Sequence, residues 1–217
     1  MAETIDTLTV INRALARIGA SPLTDTDTDD PQTRQAMAIH EDLVDAIFGL
    51  YDWRWARRTV ALEAIDGDPF GYSSRFRFPA EALGPPRALF TGPHTRAVPL
   101  RDFRVEGRTV AADADALWGT FVCRIDPADW PSAFRLAYTV WLAASLAVPI
   151  THDAGLKQVL EQEALGTPSE GGRGGLLGRA IGVDAAGSGG VAPLNAADPL
   201  ASARFGSGSW SGDGNGW

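Results

Sequence analysis

The sequence predicts an α+β fold: an antiparallel helical bundle, a small and mostly antiparallel β domain inserted between helices two and three, and an extended C-terminal tail. Three observations predict it. Apolar residues recur at spacings of three and four near the N-terminus and again after residue 130, the period of a helix with one buried face. Between residues 59 and 125 the pattern changes to short β-rich runs punctuated by proline. From Ala186 onward Gly, Ser, Ala and Asp dominate. The boundaries that follow are 1–58 and 129–185 for the two parts of the helical domain, 59–128 for the β insertion and 186–217 for the tail.

Residues 7–18 read as the first helix, with Leu8, Ile11, Leu15 and Ile18 in one stripe, Asp6 or Thr7 as the cap and Gly19 at the end. A polar Asp/Thr loop follows. Asp30 then caps a second helix that starts at Pro31, because proline suits the first helical position. That helix runs to Leu50 with Ala36, Ile39, Leu43, Ile47 and Leu50 on one face.

Strands are expected over residues 59–62, 72–78, 88–90, 103–105, 109–111 and 119–125. Glu106-Gly107-Arg108 reads as a hairpin turn in which Gly supplies a positive φ. Pro79, Pro85, Pro86, Pro93 and Pro99 limit strand length.

Asp129-Trp130-Pro131 opens a third helix. Its residues Leu136, Val140, Leu142, Leu146 and Val148 make it nearly apolar all round, so it is expected to be the central helix, and Pro149 is expected to stop it. A fourth helix over 154–165 is capped by Asp153 and turns Leu156, Val159, Leu160 and Leu165 inward. After the break at Gly171 to Gly175, residues 176–183 form a short last helix. The tail cannot bury enough apolar area to offset its ordering entropy by itself. It nevertheless carries Leu194, Leu200, Arg204, Phe205, Trp210 and Trp217, which a plain linker does not need. It reads as a segment that orders against a partner.

The formal net charge of −8 and pI near 4.8 make the free chain a poor grip for nucleic acid, which needs clustered cations. Lys157 is the single lysine among nineteen Lys and Arg residues. Cys123 is alone, so no intrachain disulfide framework is available. The acidic N-terminus lacks a basic region before an apolar run, the mark of a secretory signal. The longest apolar stretch, 137–150, is shorter than the roughly 20 residues of a membrane span, so no membrane partner is expected.

Known catalytic patterns find little purchase. A calcium loop starting at Asp25 would need Gly and Glu where Asp30 and Ala36 stand. His40, His94 and His152 are far apart and fit no zinc spacing. Cys123 reads as a small buried hydrophobe in a strand. The glycines of residues 171–178 lack the Lys-Ser/Thr ending of a phosphate loop. No catalytic residue, metal or cofactor is assigned, and the chain is not expected to be an enzyme.

The most informative segment is Tyr51-Asp-Trp-Arg-Trp-Ala-Arg-Arg58, two tryptophans among arginines where helix gives way to strand. Trp53 and Trp55 are expected to close the core there, with Arg54, Arg57 and Arg58 available to carboxylates. Five further pieces stand with it in order: Ile11-Asn-Arg-Ala-Leu-Ala-Arg-Ile-Gly19, the run from Tyr72 through Pro79 to Leu83, Phe103-x-Val-Glu-Gly107, the stretch from Asp126 through Trp130 to Phe134, and Leu142-Ala-Ala-x-Leu-Ala147. In this order, over residues 5–165, the chain resembles the tail tubular protein A family of tailed bacteriophages, which are head–tail adaptors. Asp52, Trp55 and Glu81 stand where that family has Pro, Phe and Asp, and the glycine-rich stretch after Thr167 is less like its last helix.

The resemblance implies a cyclic homo-oligomer, dodecameric in the family, bound under the portal protein of a phage or gene transfer agent. Such a ring extends the DNA channel, meets DNA only as passing cargo, and receives the next tail component, a nozzle or stopper. Its place is the head–tail interface of the virion, after assembly in the host cytoplasm. The tail aromatics would then be portal anchors. A tail-associated hydrolase is the alternative from another class, and a stopper or tail terminator a third. The hydrolase needs a clustered acid/base or metal site, and the other neck proteins are expected to be mostly β.

Overall fold

A computed structural model describes residues 5–26, 30–67, 69–93, 98–171 and 174–187. The chain divides into two compact units, Met1–Ala185 and Ala186–Trp217. The fold below belongs to the first.

Two helices open it, α1 (Thr7–Arg17) and α2 (Pro31–Leu50). Asp6 accepts the Thr9 N–H at 2.8 Å and Asp30 the Thr33 N–H at 2.8 Å, so both expected caps form. Gly19 has φ of 71° just past α1, the left-handed conformation glycine adopts without a Cβ penalty. The buried stripe of α2 lies slightly to one side of the expected one. Ala36, His40, Leu43, Val44, Ile47 and Phe48 are buried, whereas Ile39 is half-buried and Leu50 is 42% exposed.

After a 3-10 turn (Arg54–Ala56) come seven strands among the described residues: β1 (Arg57–Ala61), β2 (Glu63–Ile65), β3 (Ser74–Arg77), β4 (Ala88–Phe90), β5 (Arg104–Glu106), β6 (Thr109–Ala112) and β7 (Trp118–Val122). They form two antiparallel sheets, ordered β1-β7-β4 and β2-β3-β6-β5. The separate β2 is not apparent in the sequence. The chain changes sheets just after Leu62, whose N–H donates to the Leu117 carbonyl at 2.8 Å and so extends the β1–β7 register by one residue before Glu63 pairs with Arg77 in the second sheet. Tyr72 and Phe103 fall just outside the strands expected to contain them, and β7 stops short of Ile125. Gly107, at φ 59°, and Arg108 make the two-residue turn between β5 and β6.

The chain returns to helices with α3 (Ser132–Thr151), α4 (Ala154–Leu165) and α5 (Gly175–Ala186). A 3-10 turn (Pro127–Asp129), capped by Asp126, precedes α3. Pro149 does not stop α3, which continues to Thr151 and closes with His152 at φ 57°. Proline removes one N–H near the helix end, and the Thr151 hydroxyl donates to the Ala147 carbonyl at 2.6 Å there. By length and hydropathy α3 passes for a membrane span, which the shorter apolar stretch read from sequence did not. Its apolar character has a local use, since Phe134, Tyr138, Val140, Leu142, Leu146 and their small neighbours are buried in the fold. The expectation of burial all round is corrected at Leu136 and Val148, which are 43% and 40% exposed. Val159 of α4 is likewise 64% exposed, and Ala164 takes its place inside with Leu160.

Two hydrophobic clusters result. The larger joins α1 to α5 with the Trp53 segment; the smaller fills the β part around Phe76, Leu89, Val110 and Phe121. Alternation along β7 sends Phe121 into the smaller cluster and Val122 into the larger. Gly175 lies where the start of α5 meets the end of α4; a Cβ there would strike the Glu163 carbonyl oxygen, and its φ is 54°.

Candidate functional site

The tryptophan segment becomes the meeting point of α2, α3, α5 and β1. Leu50 ends α2, and Tyr51 turns the chain into an extended conformation. Trp53 is fully buried, with its indole N–H donated to the Ile47 carbonyl at 2.9 Å. Trp130 is buried in the same way and donates to the Ile125 carbonyl at 2.8 Å. Each large ring thus enters the core with its one polar atom satisfied.

Phe134 is the centre of this cluster. Its ring lies 4.8 Å from Trp53, 4.9 Å from Trp55, 5.1 Å from Trp130 and 5.3 Å from Phe48, in tilted or edge-on arrangements. Edge-on pairs set the positive ring edge against the negative face. Trp55 is only half-buried and forms the outer wall.

Arg54 lies on the surface of the same turn. The carboxylate of Asp184, in α5, accepts the backbone N–H groups of Arg54 at 3.1 Å and Trp55 at 3.4 Å. The Arg54 guanidinium donates to the Ala185 carbonyl at 3.4 Å. An acid therefore caps the start of the 3-10 turn while a cation meets the carbonyl end of α5, the favourable sense at both termini. Asp52 organises the other side: Arg57 grips it with Nε at 3.0 Å and Nη2 at 2.6 Å, and Arg87 Nε lies at 3.3 Å. Asp52 thereby links the exit of α2 to the starts of β1 and β4.

A buried polar pair lies deeper. Tyr138 Oη is 2.7 Å from His40 Nδ1 and donates to the His40 carbonyl at 3.1 Å. His40 is 1% exposed, and burial lowers its pKa from 6.5 to about 4, with Glu41 opposing and Arg124 assisting. Burial also raises the Tyr138 hydroxyl. His40, Arg124, Asp126 and Trp130 line a small hollow of about 220 Å³, and Arg124 pairs with Glu41 at 2.7 Å.

Tyr72 and Pro79 belong to the β part and not to the aromatic cluster. The Tyr72 hydroxyl donates to Asp102 at 2.9 Å, which raises its pKa, and the Arg104 guanidinium lies 5.7 Å from its ring centre. Arg108 secures the Pro79 loop by donating to the carbonyls of Pro79 at 2.7 Å, Ala80 at 3.1 Å and Ala82 at 3.1 Å. Leu194, Leu200, Arg204, Phe205, Trp210 and Trp217 lie outside the described residues.

Among the described residues no group of three or more His, Cys, Asp or Glu side chains is placed to hold a metal ion. Cys123 is buried, and burial raises its thiol pKa. The assembled features organise packing between elements: a closed aromatic centre, an arginine-rich rim and a last helix fastened across it. No family model matches the chain, and no curated protein matches it.

Proposed function

We propose that the chain is a structural head–tail adaptor of a tailed phage or phage-like particle. It forms a ring beneath the portal, extends the DNA channel and receives the next tail component. The observation that carries the reading is the Trp53–Trp55 turn, closed by Trp130 and Phe134 at the point where a two-sheet β insertion leaves a helical bundle. Of the motifs that resemble the tail tubular protein A family, the Tyr51–Arg58, Asp126–Phe134 and Leu142–Ala147 pieces fall on this junction and along α3, while the others lie in α1 and in the β part. Net charge of −8 suits a conduit, since carboxylates along a lumen repel the DNA backbone and leave it free to slide.

Native mass measurement and negative-stain imaging, alone and with the portal ring of the same genome, test the reading. The expected result is a ring of this chain on the portal, lost when residues after Ala186 are deleted. Binding that survives the deletion keeps the adaptor and removes the tail as anchor. A monomer that ignores the portal overturns the adaptor reading.

A further inference from the structure

β2 and β5 are the edges of the second sheet, and its pairing fixes which backbone groups β5 leaves open. The Phe78 N–H donates to the Arg108 carbonyl at 3.0 Å, so Arg108 and, two residues on, Val110 turn their backbone polar groups toward β3. Thr109 between them turns toward β5 and bonds to Glu106 across the two-residue turn. Val105, opposite Val110, is left with its N–H and C=O pointing away from the sheet. Neither group has a hydrogen bond among the described residues, and all three residues of β5 are exposed. Such an edge is a template for another extended chain.

A groove lies beside that edge. Val105 shares a sheet face with Val110 and Phe76, both buried in the smaller cluster, but is itself 39% exposed. With Phe78, Ala82, Leu83, Pro85 and Arg108 it lines a largely apolar groove of about 430 Å³. Residues directly opposite on paired strands bring their Cβ atoms to about 5 Å. The residue of an added strand that faced Val105 would therefore lie over this groove. The nearby carboxylates are already engaged: Glu106 by Arg75 at 3.2 Å and Arg104 at 3.6 Å, and Asp102 by the Tyr72 hydroxyl at 2.9 Å. Arg77, exposed on the opposite face, has no ion pair among the described residues, and the Arg108 guanidinium meets only carbonyls. The edge thus carries a surplus of cations on a chain of net charge −8.

We infer that β5 and its groove receive an extended acidic segment of another protein. The segment adds as a strand antiparallel to β5, with a large apolar side chain opposite Val105 and a carboxylate on the next residue, opposite Arg104. Backbone bonds to Val105 set the register, the groove takes the apolar side chain, and the arginines favour carboxylates over cations. The site is built from the β part alone and does not depend on the ring.

The probe is the peptide acetyl-Thr-Asp-Thr-Phe-Asp-Val-Thr-amide, followed through the backbone amide shifts of the isotope-labelled full chain. Its Phe falls opposite Val105, the Asp after it opposite Arg104, and the earlier Asp beside Arg108. Val105→Pro removes the outward N–H and spares the bonds to β6. Ala64→Pro makes the same change on β2, where Ala64, opposite Phe76, also points outward. Val105→Glu, which keeps the backbone, replaces Val105→Pro if circular dichroism shows that variant unfolded. The expected result is saturable shifts over residues 78–85 and 103–108, with binding roughly tenfold weaker in the Val105 variant. Binding should be unchanged by Ala64→Pro and weaker when the peptide carries Asn in place of Asp. Absence of saturable shifts, equal binding by the folded Val105 variant, or equal weakening by Ala64→Pro overturns the inference. Native mass covers the other occupant: an unchanged chain that is a dimer, and a Val105→Pro variant that is a monomer, would give the edge to a second copy and overturn its assignment to a foreign segment. The portal takes no part in the test, so its outcome is separate from that of the adaptor reading.

Discussion

Asp184 caps the turn that begins at Arg54, a residue 130 positions earlier in the chain, by accepting its backbone N–H at 3.1 Å. The last described helix is thereby fastened to the segment that joins bundle and β part. Fastening by one carboxylate is economical but exposed, and it makes the attachment of α5 separable from the stability of the core.

Asp184→Ala removes that cap. The expected loss is about 0.5–2 kcal/mol, the range for an N-cap side chain. Hydrogen exchange should quicken in residues 175–186 and at Arg54 and Trp55, while α3 stays protected. Unchanged exchange in α5 would show that Leu177 and Ala180, its buried residues, hold it without the carboxylate.

Phe134 fills the centre of four aromatic neighbours, so Phe134→Ala should cost about 3–5 kcal/mol in chemical denaturation. Leu136, on the next position and 43% exposed, provides the contrast: Leu136→Ala should cost well under half as much. Equal losses at the two positions would contradict the packing described.

His40 gives stability a definite pH dependence. Its folded pKa is lowered from 6.5 to about 4. Below pH 6.5 the unfolded chain takes up a proton that the folded chain refuses, so stability falls as pH drops from about 6.5 to about 4 and this contribution then levels off. The shift corresponds to about 3 kcal/mol. His40→Gln keeps a polar partner for Tyr138 and cannot titrate. Subtracting its denaturation profile from that of the unchanged chain isolates the histidine, and a difference that is flat across this window would refute the assignment.

Arg108 gathers three carbonyls of the Pro79 loop with one guanidinium. Because the side chain is exposed, Arg108→Ala should cost only about 1–2 kcal/mol. Exchange should accelerate over residues 78–83. Arg108→Lys should recover little, since an ammonium lacks the planar fork; full recovery by lysine would mean that charge alone suffices.

Periodicity was enough to locate the five described helices, and at α1, α2 and α4 the starts were marked as well, because Asp6, Asp30 and Asp153 act on N–H groups three residues away. Contacts across long sequence distances were not legible. Nothing near Asp184 marks it as a cap for Arg54, and nothing near Arg108 marks it as a clamp on Pro79. His40 was within reach: it stands one turn from Ala36 and three residues before Leu43, so its place in the buried stripe of α2 follows from the helical period. The sheet change just after Leu62 was hidden because β2 is only Glu63–Ile65, too short for a period-two pattern to register. The aromatic grouping was half legible. Trp53 and Trp55 announced a core, but Phe134 as its hub required the path of α3.

The central position of α3 also sets the order in which this protein can be made. α1 and α2 leave the ribosome first, yet the helix that covers their apolar faces is complete only at Thr151. Until then Ile11, Leu15, Ile47, Phe48 and Trp53 lack the partner that removes them from water, and the β insertion cannot substitute because its own core faces elsewhere. A nascent chain halted before residue 132 therefore leaves these apolar faces uncovered, and the packed bundle is a late product of translation.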